Sequence, residues 1–244
     1  MAESVLLQSC FQLLPGKRFF EVRLTRTKLV YQQTSIDSCC NQSALFTINV
    51  EDIYSAKVFR SRIDDDDNAY LHVFTCPIKG KRRIRRRIRF KVSGWENVEA
   101  NIRGAEQWLK MILWLVQDPE VDTTTLKDKN LPACRKFLVL VNPSSGPGKS
   151  LKIFQNHVAP MFREASIDYT LLVTEYAGHA EKIALELNVE DWDGIVICSG
   201  DGLVYEFVNG LMNRADWKNA IYMPLGVIPT GSGNALCFSA LYAS

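Results

Sequence analysis

The chain has 244 residues, 47% of them hydrophobic and 23% charged, the make-up of a folded protein with one large or two smaller domains rather than a disordered or fibrous chain. Its net charge of +2 hides an asymmetry, because residues 1–118 carry 19 Lys and Arg against 13 Asp and Glu while the remainder carries 10 against 14. No apolar run approaches the roughly 18 residues that span a bilayer, and the opening Met-Ala-Glu-Ser has neither the basic region nor the apolar stretch of a secretory signal, so a cytoplasmic protein is expected.

The first part reads as short alternating strands. Phe20, Val22 and Leu24 alternate with Glu21, Arg23 and Thr25, and Phe46, Ile48 and Val50 alternate with Thr47 and Asn49, the pattern of a half-buried antiparallel sheet. The acidic run Asp64 to Asp67 reads as a solvated loop before the apolar stretch Tyr70 to Phe74. A helix then follows, with Ser93 as N-cap, Glu96 as its capping-box partner, and Val98, Ile102, Ala105, Leu109, Ile112, Leu113 and Val116 as its apolar stripe. Antiparallel strands closed by one amphipathic helix over residues 1–118 are the plan of a pleckstrin-homology-like β domain, a pattern shared with other small barrels and sandwiches.

Residues 119–131, starting at Pro119, read as a linker. From residue 132 the rhythm becomes strand, glycine loop, helix. Strands are predicted at Lys136 to Val141, Tyr169 to Val173, Gly194 to Cys198 and Leu225 to Ile228. Helices are predicted at Ser150 to Phe162, Ala177 to Leu187 and Leu203 to Met212. This alternation predicts an α/β domain with a parallel sheet, whose ligands bind at the carboxyl ends of the strands.

Three glycine-rich loops lie at those ends: Asn142-Pro-Ser-Ser-Gly-Pro-Gly-Lys-Ser150, Ser199-Gly-Asp-Gly202 and Pro229-Thr-Gly-Ser-Gly-Asn234. Glycine permits close backbone approach, and a following helix presents free N–H groups, so each loop suits a phosphate; each would equally serve as a tight turn. A Walker A loop is excluded by Pro143 where its first glycine belongs, and a dinucleotide fingerprint by Leu151. Asp201, between two glycines, suits a general base or a helix N-cap, and Glu206 a nucleotide contact or a solvated helix charge. Seven cysteines without a CxxC pair, and the scattered His72, His157 and His179, predict reduced thiols and no metal site of protein ligands.

Taken in order, Val-Asn-Pro-x-Ser-Gly-x-Gly-Lys, then Thr174-Glu175 with His179-Ala180, then Ser-Gly-Asp-Gly-Leu-x-x-Glu-x-x-Asn-Gly-Leu, then Pro-x-Gly-Ser-Gly-Asn-Ala-Leu resembles the catalytic domain of the sphingosine kinases, within the diacylglycerol-kinase-like lipid kinases. Arg214-Ala-Asp216-Trp217 looks like the sphingosine kinase continuation. The resemblance implies Mg²⁺-assisted transfer of phosphate from ATP to the primary hydroxyl of a sphingoid base. It places ATP on Asn142, Pro143, Ser144, Thr174, Glu175, Tyr176, Ala177, Gly178, Glu206, Gly231, Ser232 and Gly233. It places the lipid hydroxyl on Ser199, Gly200, Asp201 and Gly202, with Asp201 as the base. Tyr176, Ala177 and Gly178 stand where more basic residues are expected, which predicts backbone-mediated or weaker contact with the nucleotide. The resemblance also implies a second, β-rich lobe holding the lipid pocket, so the 132–244 domain is expected to be incomplete. A kinase for another lipid such as diacylglycerol, or a non-catalytic binding form, are the alternatives.

Nine of the thirteen residues from Lys79 to Lys91 are Lys or Arg. Arg83, Arg85, Arg87, Arg89 and Lys91 alternate with Ile84, Ile88 and Phe90, predicting one extended strand with a basic face. That face suits a solvated surface balanced by Asp64 to Asp67, a nucleic-acid or nuclear-import patch, or an anionic membrane. For a lipid kinase an anionic membrane is favoured over nucleic acid and peripheral association is the expected location, with the solvated surface kept open.

Overall fold

In the computed structural model, which describes residues 3–34, 44–61, 63, 66–94, 97–127 and 129–242, the chain divides into two units, residues 1–133 and 134–244. The first unit contains β1 (Leu7–Leu14), β2 (Phe19–Leu24), β3 (Lys28–Gln33), β4 (Leu45–Asn49), β5 (Ile53–Arg60), β6 (Ala69–Thr75), β7 (Ile78–Lys79), β8 (Arg82–Arg83), β9 (Arg86–Val92) and the helix α1 (Val98–Gln117). Seven of these strands form one antiparallel sheet in the order β4-β3-β2-β1-β9-β6-β5, and β7 and β8 form a separate hairpin. The period-two pattern sets the faces: Phe20, Val22 and Leu24 of β2, Leu71 and Val73 of β6, and Phe90 and Val92 of β9 are buried. Against them packs α1, with the Trp108 ring edge-on to Phe11 at 5.2 Å. The antiparallel β plan with a closing helix is therefore present.

Several local expectations need correction. The helix begins later than expected: Asn97, not Ser93, is its cap, with Asn97 Oδ1 accepting from the Ala100 N–H at 2.9 Å, and Glu96 lies outside the described residues. Its buried stripe is Asn101, Ala105, Trp108, Ile112 and Leu115, a rotated version of the expected one that shares only Ala105 and Ile112. Within residues 119–131, expected as a linker, Val121 and Leu126 are buried in the first unit's core and Arg26 donates to the carbonyls of Pro119 and Val121.

The basic stretch is not one strand. Gly80, at φ +64°, turns the β7–β8 hairpin, and the chain re-enters the sheet only at Arg86. Arg83 faces Asp52 (2.8 Å) and the Cys76 carbonyl, so its balancing carboxylate is not in the acidic run. Of that run, Asp64 and Asp65 lie outside the described residues. Asp66 accepts the Tyr70 hydroxyl at 2.6 Å, which together with bonds from Asn68 and Ser61 holds its carboxyl well below the usual range, while burial and this bond push Tyr70 up to about 12. Cys10, Cys76, Cys134, Cys198 and Cys237 are free thiols; Cys39 and Cys40 lie outside the described residues.

The second unit is a parallel sheet with helices on both faces. Its elements are β10 (Lys136–Val141), α2 (Ser150–Ile153), α3 (Ala159–Glu164), β11 (Asp168–Val173), α4 (His179–Glu186), β12 (Gly194–Ser199), α5 (Asp201–Met212), α6 (Trp217–Ala220), β13 (Leu225–Pro229) and α7 (Ala235–Tyr242). A widened π turn at Phe154–Val158 joins α2 to α3 just ahead of Pro160, whose ring has no N–H and crowds the preceding turn. Alternate residues of β10 serve the two faces: Leu138 and Leu140 join Ala180, Ala184 and Phe207 of α4 and α5, whereas Val139 and Val141 join Phe154 and Ala159. The strand order is β11-β10-β12-β13. The chain thus leaves β10 in one direction to reach β11, then returns to the other side of β10 with β12. The crevice outside the carboxyl ends of β10 and β12 is therefore the topological switch point, where open α/β sheets bind ligands.

Candidate active site

The residues at that switch point are Asn142, one residue past β10, and Ser199 to Asp201, where β12 turns directly into α5. The Asn142 Oδ1 accepts from the Ser144 N–H at 2.9 Å and folds the loop back on itself, while the Asn142 N–H donates to the Cys198 carbonyl. Gly146 (φ +55°) and Gly148 (φ +71°) complete the turn in the left-handed region. The third loop, after β13, crosses close by: the Thr230 N–H donates to the Ser199 carbonyl at 3.1 Å, and the Asp201 N–H to the Gly233 carbonyl at 3.0 Å.

The crossing is backbone against backbone. A Cβ on Gly200 would lie 2.5 Å from the Gly233 carbonyl oxygen, one on Gly146 would lie 2.6 Å from that of Thr230, and one on Gly231 would collide with the Cα of Gly200. These three glycines are therefore required by the contact of the loops with one another. Gly202 differs, because a Cβ there meets no neighbouring atom. The structure so brings together Asn142, Pro143, Ser144, Ser199, Gly200, Asp201, Gly202, Gly231, Ser232 and Gly233 in one cluster.

Asp201 stands at the centre of it. Its backbone begins α5, and its carboxylate accepts from the Ala235 N–H at 2.7 Å (Oδ2) and the Leu236 N–H at 3.2 Å (Oδ1). The carboxylate thus caps α7, a helix that starts 34 residues later, rather than the first turn of its own helix.

Thr174, Glu175, Tyr176, Ala177 and Gly178 form a second group beyond the end of β11. It is tied to the first group through α5, since the Gly178 N–H donates to Glu206 Oε2 at 3.1 Å. Glu206 is therefore a bonded residue, not a solvated charge. The Thr174 side chain is buried against the Val141 carbonyl. The Tyr176 ring, half exposed, stacks parallel on His179 at 4.6 Å, and His179 Nδ1 accepts from the Glu175 N–H. Arg214, in the continuation after α5, donates to the carbonyls of Ala184, Leu185 and Leu187 and to Asp216, so it caps the end of α4.

The structure adds residues that the spacing of the sequence did not single out. Ser145, Thr230 and Asn234 lie in the same cluster, where Asn234 Nδ2 donates to the Gly231 carbonyl at 2.6 Å. Thr230 Oγ1 and Asn234 Oδ1 are buried without a hydrogen-bond partner among the described residues. The available signal was small polar residues at strand carboxyl ends, inside loops already marked by glycine.

The family model for the diacylglycerol kinase catalytic domain matches residues 136–242. The chain is 39% identical over 180 residues to human sphingosine kinase 2, an alignment covering 72% of this chain and 27% of that protein. It is 49% identical over 109 residues to human sphingosine kinase 1, covering 45% of this chain and 28% of that protein. Residues 136–242 therefore match the diacylglycerol kinase catalytic domain, and the relatives they resemble include sphingosine kinases. Sphingosine kinase 1 of Arabidopsis thaliana is 47% identical to it over 107 residues, 44% of this chain and 22% of that protein. Among solved structures, a diacylglycerol kinase from Bacillus anthracis is 31% identical, with a TM-score of 0.33 over 41% of this chain and 35% of that one. The aligned part of the chain spans about a quarter of the length of these human relatives. The three crossing loops and Asp201 all fall inside the matched residues.

Proposed function

We propose that this chain binds ATP at the crevice between β10 and β12 and transfers its terminal phosphoryl group to the primary hydroxyl of a sphingoid base. The observation that carries this reading is the single carboxylate of Asp201, set at the switch point of a parallel sheet where three glycine loops cross. Phosphoryl transfer asks little covalent chemistry of a protein and much positioning, which is what backbone loops and one fixed carboxylate supply. Asn142, Pro143, Ser144, Gly231, Ser232 and Gly233 would hold the phosphates, and Thr174 to Gly178 with Glu206 the rest of the nucleotide. Gly202, open above its Cα, leaves room for the lipid hydroxyl beside Asp201. Each Asp201 oxygen accepts one backbone N–H and keeps lone-pair capacity for the hydroxyl proton, which it takes as the new O–P bond forms.

Magnesium belongs with the nucleotide in this reading. Asp201 and Glu206 each accept backbone N–H bonds and keep further lone pairs, so they would face the cation carried by the nucleotide. The basic first unit, read as a pleckstrin-homology-like module, would bring the chain to an anionic membrane, where a sphingoid base resides.

The test is incubation of the chain with radiolabelled ATP and vesicles containing sphingosine or diacylglycerol. Label is expected in sphingosine. Label in diacylglycerol alone would reassign the lipid, and ATP binding without transfer to either would leave a binding module. Failure to bind ATP would overturn the reading.

A further inference from the structure

The Ser199 side chain does not face the crevice. Its Oγ, on a residue 3% exposed, donates to the Ser145 Oγ at 3.0 Å, joining the end of β12 to the loop after β10 beneath the crossing point. From Asn142 to Ser150 only Ser145 and Ser150 are buried, so this loop, with glycines at 146 and 148 and proline at 147, is anchored by two serines and by backbone contacts. Ser150 is bonded within the loop, its hydroxyl reaching the Ser145 carbonyl at 3.5 Å. The Ser145–Ser199 bond is therefore the side-chain tie, among the described residues, between this loop and its neighbouring strand end.

We infer that the Ser145–Ser199 hydrogen bond is a positioning device for the nucleotide, and that Ser199 acts through Ser145 rather than on the lipid hydroxyl. This rests on the ATP-binding reading of the crevice. A phosphate loop already held in place loses less conformational freedom when its ligand binds, so an anchored loop binds more tightly than a loose one. Removing either hydroxyl frees the loop and leaves the other hydroxyl buried without its bond. Because the two hydroxyls make one bond, losing both should cost no more than losing one.

The experiment compares the 244-residue chain with Ser145→Ala, Ser199→Ala and the double variant. ATP dissociation constants come from calorimetry, and Michaelis constants for ATP and sphingosine from initial rates. Each single variant should raise the ATP dissociation constant about threefold to tenfold, the scale of one neutral hydrogen bond. The double variant should match the worse single, and the sphingosine Michaelis constant should not move. If both singles lower the melting temperature but leave ATP affinity unchanged, the bond is merely structural and the inference fails. A higher sphingosine Michaelis constant in Ser199→Ala alone also overturns it, by returning Ser199 to the lipid, as do additive effects in the double variant. Should Ser199→Ala fail to fold, Ser145→Ala by itself decides the affinity arm. A parent chain that binds no ATP removes the underlying reading itself, an outcome distinct from unchanged affinity in the variants.

Discussion

Asp201 performs two tasks with one carboxylate, since the oxygens that cap α7 are the same oxygens that would take the substrate proton. Asp201→Asn keeps the shape but puts an NH₂ where one acceptor stood. Phosphoryl transfer should fall by about 10² to 10⁴, the usual weight of a general base, and stability by about 1 kcal/mol for the weakened cap. Rates with sphingosine and a thermal melt check both, and retention of more than half the activity would remove Asp201 from the chemistry. The glycines separate in the same way. Gly231→Ala drives a methyl group into Gly200 and should cost about 1–3 kcal/mol, whereas Gly202→Ala meets open space in the first turn of α5 and should leave the melting temperature equal or higher. If Gly202 borders the lipid hydroxyl, its alanine variant loses activity without losing stability; a melting temperature that falls as far as that of Gly231→Ala would contradict the packing described. The loops themselves were legible, because strand, glycine and helix recur in order. What each glycine touches was not, because Gly146 meets Thr230 and Gly200 meets Gly231 through contacts that no local pattern encodes.

The same limit governs the elements. A spacing of three and four predicts that α1 has an apolar face, but with Ile102, Leu109, Leu113 and Val116 beside Trp108 and Leu115 the stripe is wide, and only the sheet decides which part lies deepest. Trp108→Ala, beneath Phe11, should cost about 3–5 kcal/mol, and Leu113→Ala, outside the buried stripe, much less; denaturant melts of the two variants would reverse in rank if the expected stripe were the packed one. β6 offers a second test at this scale. His72 lies opposite Lys57 of β5 and Arg89 of β9, with Phe59 and Phe74 around its ring. Burial, with Arg87 and Arg89 adding to it, pushes the imidazole down to about 4 from an ordinary 6.5. The unfolded chain therefore binds this proton more readily than the folded one, so the contribution is fully present above pH 6.5 and is lost as pH falls toward 4. Stability measured by denaturant across that window should slope downward with acid, and His72→Phe should flatten the slope; an unchanged slope would assign it to carboxylates instead.

At the scale of the whole molecule, the charge asymmetry becomes a surface once the basic stretch is placed. Arg87, Arg89 and Lys91 alternate with Ile88, Phe90 and Val92 on β9, so the three cations share one face of the sheet, and Lys57 joins the row through His72. Phe59, substantially exposed, packs against His72 on that face with its ring centroid 4.6 Å away, giving the basic surface an apolar element. Arg83 is spent on Asp52. The sequence placed Arg83, Arg85, Arg87, Arg89 and Lys91 on one strand face, and the hairpin at Gly80 leaves Arg87, Arg89 and Lys91 as the group on β9. If this face meets an anionic bilayer, each cation contributes about 1 kcal/mol near the surface, and replacing Arg87, Arg89 and Lys91 together by Ser should weaken binding by about two orders of magnitude. The measurement is co-sedimentation of the 244-residue chain with phosphatidylserine vesicles at rising salt. The parent chain should bind at low ionic strength and be released as the screening length shrinks below about 10 Å. The triple variant should stay in the supernatant with its melting temperature preserved, and Arg83→Ser should sediment like the parent. Binding that ignores salt, or equal loss from Arg83→Ser, would show that this face does not meet the membrane.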